Sequence, residues 1–209
     1  MTGTTERRPT LGSLRCSWST YKARNAYVNQ KMPLTITQGC DNKHPFARDT
    51  REKMSPRHAA ALELAAAGVP VFPCAVNGKD PVGWLVHHGL KDRTTDTLLI
   101  DKWWAQGDWN LAIVPDDLGY FVVDIDPKHD GLQSWLALCQ EQNWAPTAAL
   151  VVCTPSGGWH LYYRGSAANS VGTPQRGLGP GIDVRGRDGY VLVPPSIVAG
   201  VEYTQMPLR

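Results

Sequence analysis

Two carboxylates one residue apart close a short apolar run, Gly119-Tyr-Phe-Val-Val-Asp-Ile-Asp126. Successive side chains of a strand point to opposite faces, so Asp124 and Asp126 share a face with Tyr120 and Val122. Phe121, Val123 and Ile125 take the other. Two like charges on one face repel, and a divalent cation held by oxygen ligands removes that repulsion. A second reading is equally compatible with the spacing: the strand has ended and Asp126-Pro127 opens a solvated loop. Asp-x-Asp by itself does not choose between them.

Two further groups of residues bear on the choice. Ser156-Gly157-Gly158 separates two apolar runs, 149–154 and 159–164, as the loop of a hairpin. Paired glycines suit a tight turn and also let backbone N–H groups come close to a phosphate. His160 follows directly, sharing a face with Tyr162, while Trp159, Leu161 and Tyr163 take the opposite face. Such a histidine can donate to a triphosphate or serve as a satisfied structural residue. The third group is Gly181-Ile-Asp-Val-Arg-Gly186, an Arg-Asp-Gly turn, and then 190–196, read together as another hairpin. Here Asp183 and Arg185 lie on one side of the strand, and Asp188 is a turn former.

The elements that must position these groups begin at Ser55-Pro56, an N-cap followed by proline at the first helical position. Strong helix formers continue to Ala67, and Gly68 stops the helix. Residues 69–76 form a short strand whose two prolines predict an edge or irregular position. Residues 77–81 make a turn-rich loop that presents Lys79. Thr95 is expected to cap a second helix with Leu98, Leu99, Trp103 and Trp104 on its apolar face. The tryptophan pair, at helical spacing beside leucines, reads as core rather than as a base-stacking platform. Residues 110–114 form a strand before the acidic one, and 131–142 form a helix with Leu132, Trp135, Leu136 and Cys139 on one face.

Taken in order, the three groups make the sequence resemble the Prim-Pol domain, the N-terminal bifunctional DNA primase/polymerase family of the archaeo-eukaryotic primase superfamily. The resemblance covers residues 56–203. It includes residues 68–73, Gly78-Lys-Asp-Pro81, Asp92 to Asp96, Trp103-Trp104, Asn110, Asp124-Ile-Asp126, Ser156-Gly-Gly-Trp-His160, residues 181–186 and Pro194-Pro-Ser196. It implies an α/β (α+β) fold in which an RRM-like sheet carries the motifs and packs with an N-terminal α/β module, the active site lying in the cleft between them. It implies that Asp124, Asp126 and Asp183 are metal ligands, that the cofactor is Mg²⁺ or Mn²⁺, and that His160 contacts the phosphates of the incoming nucleotide. Ser156, Gly157 and Gly158 lie beside that histidine, and Arg185 is a further candidate nucleotide contact. The substrates implied are nucleoside triphosphates, ribo or deoxy, and a single-stranded DNA template, in plasmid or phage replication. A replicative helicase is the expected partner, in cis or in trans.

Composition bounds the alternatives. With 42% hydrophobic residues the chain can bury a core, yet no apolar stretch is long enough to span a membrane. The N-terminus lacks a secretory signal. Five scattered cysteines without a Cys-x-x-Cys pair argue for reduced thiols and a cytoplasmic location. Cys40 and His44 have half-site spacing for zinc, without a second half. Residues 1–57 carry 11 Lys and Arg against 4 Asp and Glu, whereas the rest carries 10 against 15. The charge balance predicts a basic, poorly ordered extension over 1–55, and the resemblance implies a Prim-Pol catalytic domain over 56–209 that is expected to lack C-terminal helical or helicase elements. The arm suits either phosphate contact or a dispensable extension. A metal-dependent glycosyltransferase would explain Asp124-Ile-Asp126 but neither later group. A replication-initiator nuclease needs a His-hydrophobe-His pair, and His87-His88 has the wrong spacing. A nucleotide- or DNA-binding fragment without turnover is the alternative that remains.

Overall fold

The computed structural model describes residues 54–170 and 178–207. Apart from Met54 and Ser55, the basic extension expected over 1–55 lies outside the described residues, as do Cys40 and His44. The described part is mixed α and β, with three α-helices and antiparallel sheets. None of its helices is long and apolar enough to cross a membrane.

Helix α1 (Pro56–Ala66) starts where its sequence predicts. The Ser55 side chain accepts from the His58 N–H at 3.2 Å, and Pro56 sits where an N–H would lack an intrahelical partner. Gly68, at φ +81°, ends the helix by turning its N–H to Ala65 O. Strand β1 (Val71–Cys74) follows, then helix α2 (Thr97–Trp104). Its cap is Asp96 rather than Thr95: the Asp96 carboxylate accepts from the Leu98 and Leu99 N–H groups. The apolar stripe also shifts. Ile100, Trp103 and Trp104 are buried at helical spacing, while Leu98 falls on the opposite side and is 70% exposed.

Strands β2 (Asn110–Ile113), β3 (Tyr120–Ile125), β4 (Leu150–Cys153), β5 (Trp159–Arg164), β6 (Ile182–Arg185), β7 (Val191–Leu192) and β10 (Thr204–Gln205) make two sheets. The smaller has the order β1-β2-β7, placing the proline-bearing β1 at an edge. The larger has the order β10-β4-β5-β3-β6, antiparallel throughout, with helix α3 (Gly131–Glu141) between β3 and β4 in the chain. The remaining strands, β8 (Ile197–Val198) and β9 (Val201–Glu202), pair with each other.

Residues 181–196 are not the hairpin their alternation suggests. β6 pairs with β3 in the larger sheet and β7 pairs with β2 in the smaller, so the turn between them carries the chain from one sheet to the other. Tight packing fixes this turn. A Cβ on Gly186 would run into Ala167 O, one on Gly189 would run into the Asn169 side chain, and Asp188 adopts φ +61°.

The two faces of the larger sheet have different cores. Tyr120, Val122, Leu150, Val152 and Tyr162 pack in one cluster with α1, α2 and the smaller sheet. Val123, Ile125, Val151, Leu161 and Ile182 form a second cluster, against which Trp135 of α3 packs. The first face carries the residues of interest.

Candidate active site

Strand register builds the site. Asp124 on β3 lies directly opposite His160 on β5 and opposite Asp183 on β6, so the three form one row across the sheet. One step along the same face, Val122 lies between Tyr162 and Arg185. Along β3 and β5 the face therefore changes from apolar, at the buried Val122 and Tyr162, to ionisable, at Asp124 and His160. The shared faces read from the sequence for Asp124, for His160 with Tyr162, and for Asp183 with Arg185 all hold.

Distances within the row are short. Arg185 Nη2 lies 2.8 Å from Asp183 Oδ2 and 3.7 Å from Asp124 Oδ2, so one guanidinium nitrogen faces both carboxylates. His160 Nε2 is 3.6 Å from Asp124 Oδ1, too long for a good hydrogen bond. The His160 ring is buried beside Tyr203, and its Nδ1 has no hydrogen-bond partner among the described residues. Burial pushes its pKa below the ordinary histidine value; Asp124 opposes the shift, and the positive charges of Lys79 and Arg185 add to it. Tyr162 is also buried without a partner for its hydroxyl, and burial, then the neighbouring Tyr203 and Asp124, raises its pKa.

Asp126 stands apart from the row. β3 ends at Ile125, and Asp126 caps a short 3₁₀ turn, its carboxylate accepting from the Lys128 N–H at 2.9 Å and pairing with His129 Nδ1 at 3.0 Å. Burial alone would raise its pKa, but these contacts outweigh it and hold the carboxyl below the usual range. Of the Asp-x-Asp pair, Asp124 belongs to the strand and Asp126 opens the loop, so the two do not share a strand face. That loop is locked by glycines. Gly131 and Gly181 approach so closely that a Cβ on either would strike the other's backbone, and Asp126 N–H donates to Gly181 O at 2.8 Å.

The loop before His160 is equally specific. Gly157, at φ +83°, donates to Thr154 O at 2.9 Å, and Gly158 N–H donates to Thr154 Oγ1 at 3.1 Å. A Cβ on Gly158 would run into Ile125 O, so this glycine lets the loop pack against the end of β3. Both glycine N–H groups are engaged inside the turn. The exposed Ser156 hydroxyl, 3.0 Å from Thr154 Oγ1, is what the loop presents outward.

Among the described residues no three His, Cys, Asp or Glu side chains gather as a ready metal-binding group. Asp124 and Asp183 come together; Asp126 engages its own loop. A hollow of about 570 Å³ lies elsewhere, lined in part by His88, Lys91, Asp188 and Tyr190, and contains none of the predicted site residues.

Sequence reasoning assigned no role to Asn110, which proves to be a hub. This buried amide donates to Ala75 O, Gly78 O and Ile197 O at 2.7–3.2 Å and accepts from Ile197 N–H at 2.8 Å. It ties the Lys79 loop to the segment after β7, and Tyr190 donates its hydroxyl to Lys79 O at 3.2 Å. The available signal was an asparagine opening an otherwise apolar strand.

Residues 61–208 match the Prim-Pol family, bifunctional DNA primase/polymerase, N-terminal. No curated protein matches the chain. The matched span includes the whole Asp183–Asp124–His160 row, Arg185 and the loops around them. The chain belongs to the Prim-Pol family, the N-terminal domains of bifunctional DNA primase/polymerases.

Proposed function

We propose that residues 56–209 are a catalytic domain that joins nucleoside triphosphates to a 3′-hydroxyl on a single-stranded DNA template in plasmid- or phage-type replication. The family gives the primase/polymerase role in replication, with DNA and nucleotides as substrates. The observation that carries the finer reading is the cross-strand row of Asp183, Asp124 and His160, with Arg185 beside it. The order β4-β5-β3-β6, with α3 following β3, supports an RRM-like sheet as its platform. A helicase, in cis or in trans, would expose the template.

The donor set suits Mg²⁺ or Mn²⁺. It consists of carboxylate oxygens, and Mg²⁺ is characteristically held by one or two carboxylates together with substrate phosphates rather than by an all-protein cage. That a guanidinium already faces Asp124 and Asp183 marks the pair as a place where positive charge is favourable. Asp124 and Asp183 would hold the ions, with Asp126 as third carboxylate from the adjoining loop. Two such ions, when bound, stabilise charge on the attacking and leaving oxygens.

The protein's own groups orient the substrate. The His160 imidazole carries an N–H that can donate to a phosphate oxygen. Arg185 supplies a fixed positive charge, and Lys79 a second from the facing loop. The Ser156 hydroxyl offers another donor, while Gly157 and Gly158 shape the loop and leave room for close approach of the triphosphate. No covalent enzyme intermediate is needed.

The test is template-dependent incorporation in Mg²⁺ and Mn²⁺, with and without primer, beside Asp124→Ala. Incorporation abolished in the variant is the expected result, and product formed without primer would add primase to polymerase activity. The engagement of Asp126 with His129 favours one rival, a nucleotide- or DNA-binding protein without turnover. Metal-dependent nucleotide binding with no incorporation under any of these conditions would select that rival.

A further inference from the structure

We infer that Arg185 is a resident counter-cation for Asp124 and Asp183, and that it competes with the metal for those carboxylates. The inference rests on the metal assignment proposed above and adds an order of events to it.

Register is the first ground. Asp124 and Asp183 are direct cross-strand partners, and like charges directly opposite destabilise a sheet. Their side chains are 22% and 20% exposed, so water screens the repulsion only in part. A positive charge beside both would relieve that repulsion.

Geometry supplies it. Arg185 lies opposite Val122, one step from the acidic row, yet its Nη2 reaches back to both acids, at 2.8 and 3.7 Å. A cation shared by two carboxylate oxygens is what a metal would be in the same place. His160, on the strand across Asp124 from Asp183, does not bridge the two acids.

Two consequences follow. Metal binding without nucleotide must work against the guanidinium already present, so the charge of Arg185 lowers metal affinity. Once displaced, the same guanidinium is free for the triphosphate that arrives with the metal. Metal and nucleotide then favour each other's binding, and by linkage the coupling is reciprocal.

The experiment measures Mn²⁺ binding without nucleotide, by titration calorimetry and by the resonance signal of free Mn²⁺. The chains compared are the unaltered protein, Arg185→Gln, Arg185→Met, Arg185→Lys and Asp124→Ala. The two neutral variants should bind Mn²⁺ roughly three- to tenfold more tightly than the unaltered protein, since a like charge at contact distance has been removed. Arg185→Lys keeps the charge and should stay near the unaltered value. In chelator, Arg185→Gln and Arg185→Met should melt lower, and Mn²⁺ should raise their melting temperature more than it raises that of the unaltered protein.

Should both neutral variants be unfolded in chelator, Mn²⁺ should restore their circular dichroism, and failure to do so overturns the inference. Equal or weaker Mn²⁺ binding by the neutral variants also overturns it, provided that the unaltered protein binds and Asp124→Ala does not. The absence of a saturable Mn²⁺ site in every folded chain would instead overturn the metal assignment, and this inference with it.

Discussion

Carboxylates near the helices and carboxylates in the acidic row are neutralised in different ways. Around α1 and α2, Asp108 has Arg57, Asp101 has His58, Asp92 has His88 and Asp117 has Arg93. Each acid there faces its own cationic or protonatable partner. In the acidic row, Asp124 and Asp183 share one nitrogen of Arg185, and the buried His160 lies 3.6 Å from Asp124 on its other side. The first arrangement adds a little stability and holds loops in register. The second sets two acids around one shared fixed cation in a partly buried place, where desolvation makes the pairing of charges matter more. The ratio of charges, rather than the number of ion pairs, separates the two regions.

The largest expected effect tests that separation directly. Asp124→Ala should lower incorporation roughly a thousandfold or more, because several kcal/mol of transition-state charge stabilisation go with it. Its melting temperature in chelator should stay level or rise, since one of two opposed charges has been removed. Parallel loss of stability would put Asp124 in the same category as Asp108, and the contrast between the regions would fail.

The next effect comes from a neutral group in neither category. Asn110→Ala removes the amide that serves the carbonyls of Gly78 and Ile197 and the N–H of Ile197 in a part-buried place, while Ala75 O keeps the Gly78 N–H. A loss of about 2–4 kcal/mol of stability is expected from denaturant unfolding. Incorporation by the fraction that remains folded should also fall, because the loop bearing Lys79 loses its anchor. Unchanged incorporation per folded molecule would confine Asn110 to a structural role and remove Lys79 from the site.

These contrasts were only partly legible in the sequence. Period-two alternation placed Asp124, His160 and Asp183 on the correct faces of their strands, because successive side chains of a strand point to opposite faces whatever packs against them. Alternation cannot say which strands pair, however. The convergence of the row depends on β3 lying between β5 and β6, an order that no local pattern contains. The same limit explains the false hairpin over 181–196: β6 and β7 have strand character and a turn between them, yet close packing at Gly186 and Gly189 sends them to different sheets. Ser55-Pro56 was readable because a cap is local chemistry. Asp96 displaced Thr95 because several polar residues in succession can cap, and tertiary packing of Ile100, Trp103 and Trp104 selects among them. The local partners of Asp126 were hidden for a related reason: Lys128 and His129 act through turn geometry, to which a two-residue period is blind.

The smallest expected effect is in the helical region and completes the contrast. Asp108 is 46% exposed at its side chain and accepts from Arg57 Nε at 3.0 Å. Burial pushes its pKa up, but hydrogen bonds from Arg57 and Ser55 and the Arg57 charge outweigh this and leave it below the ordinary carboxylate value. A carboxyl depressed in the folded state contributes stability that is present above its unfolded pKa and is lost as pH falls through the folded one. Solvent screening keeps the contribution to about 0.5–1 kcal/mol. Asp108→Asn should therefore melt slightly lower than the unaltered protein at neutral pH. The difference should begin to shrink as pH drops below the unfolded carboxyl value of about 3.9 and should close once Asp108 is protonated in both states. Incorporation should not change, since Arg57 and Asp108 neutralise each other away from the acidic row. A loss of incorporation without a loss of stability would mean that a one-to-one pair also serves the reaction, and the shared cation would no longer set the acidic row apart.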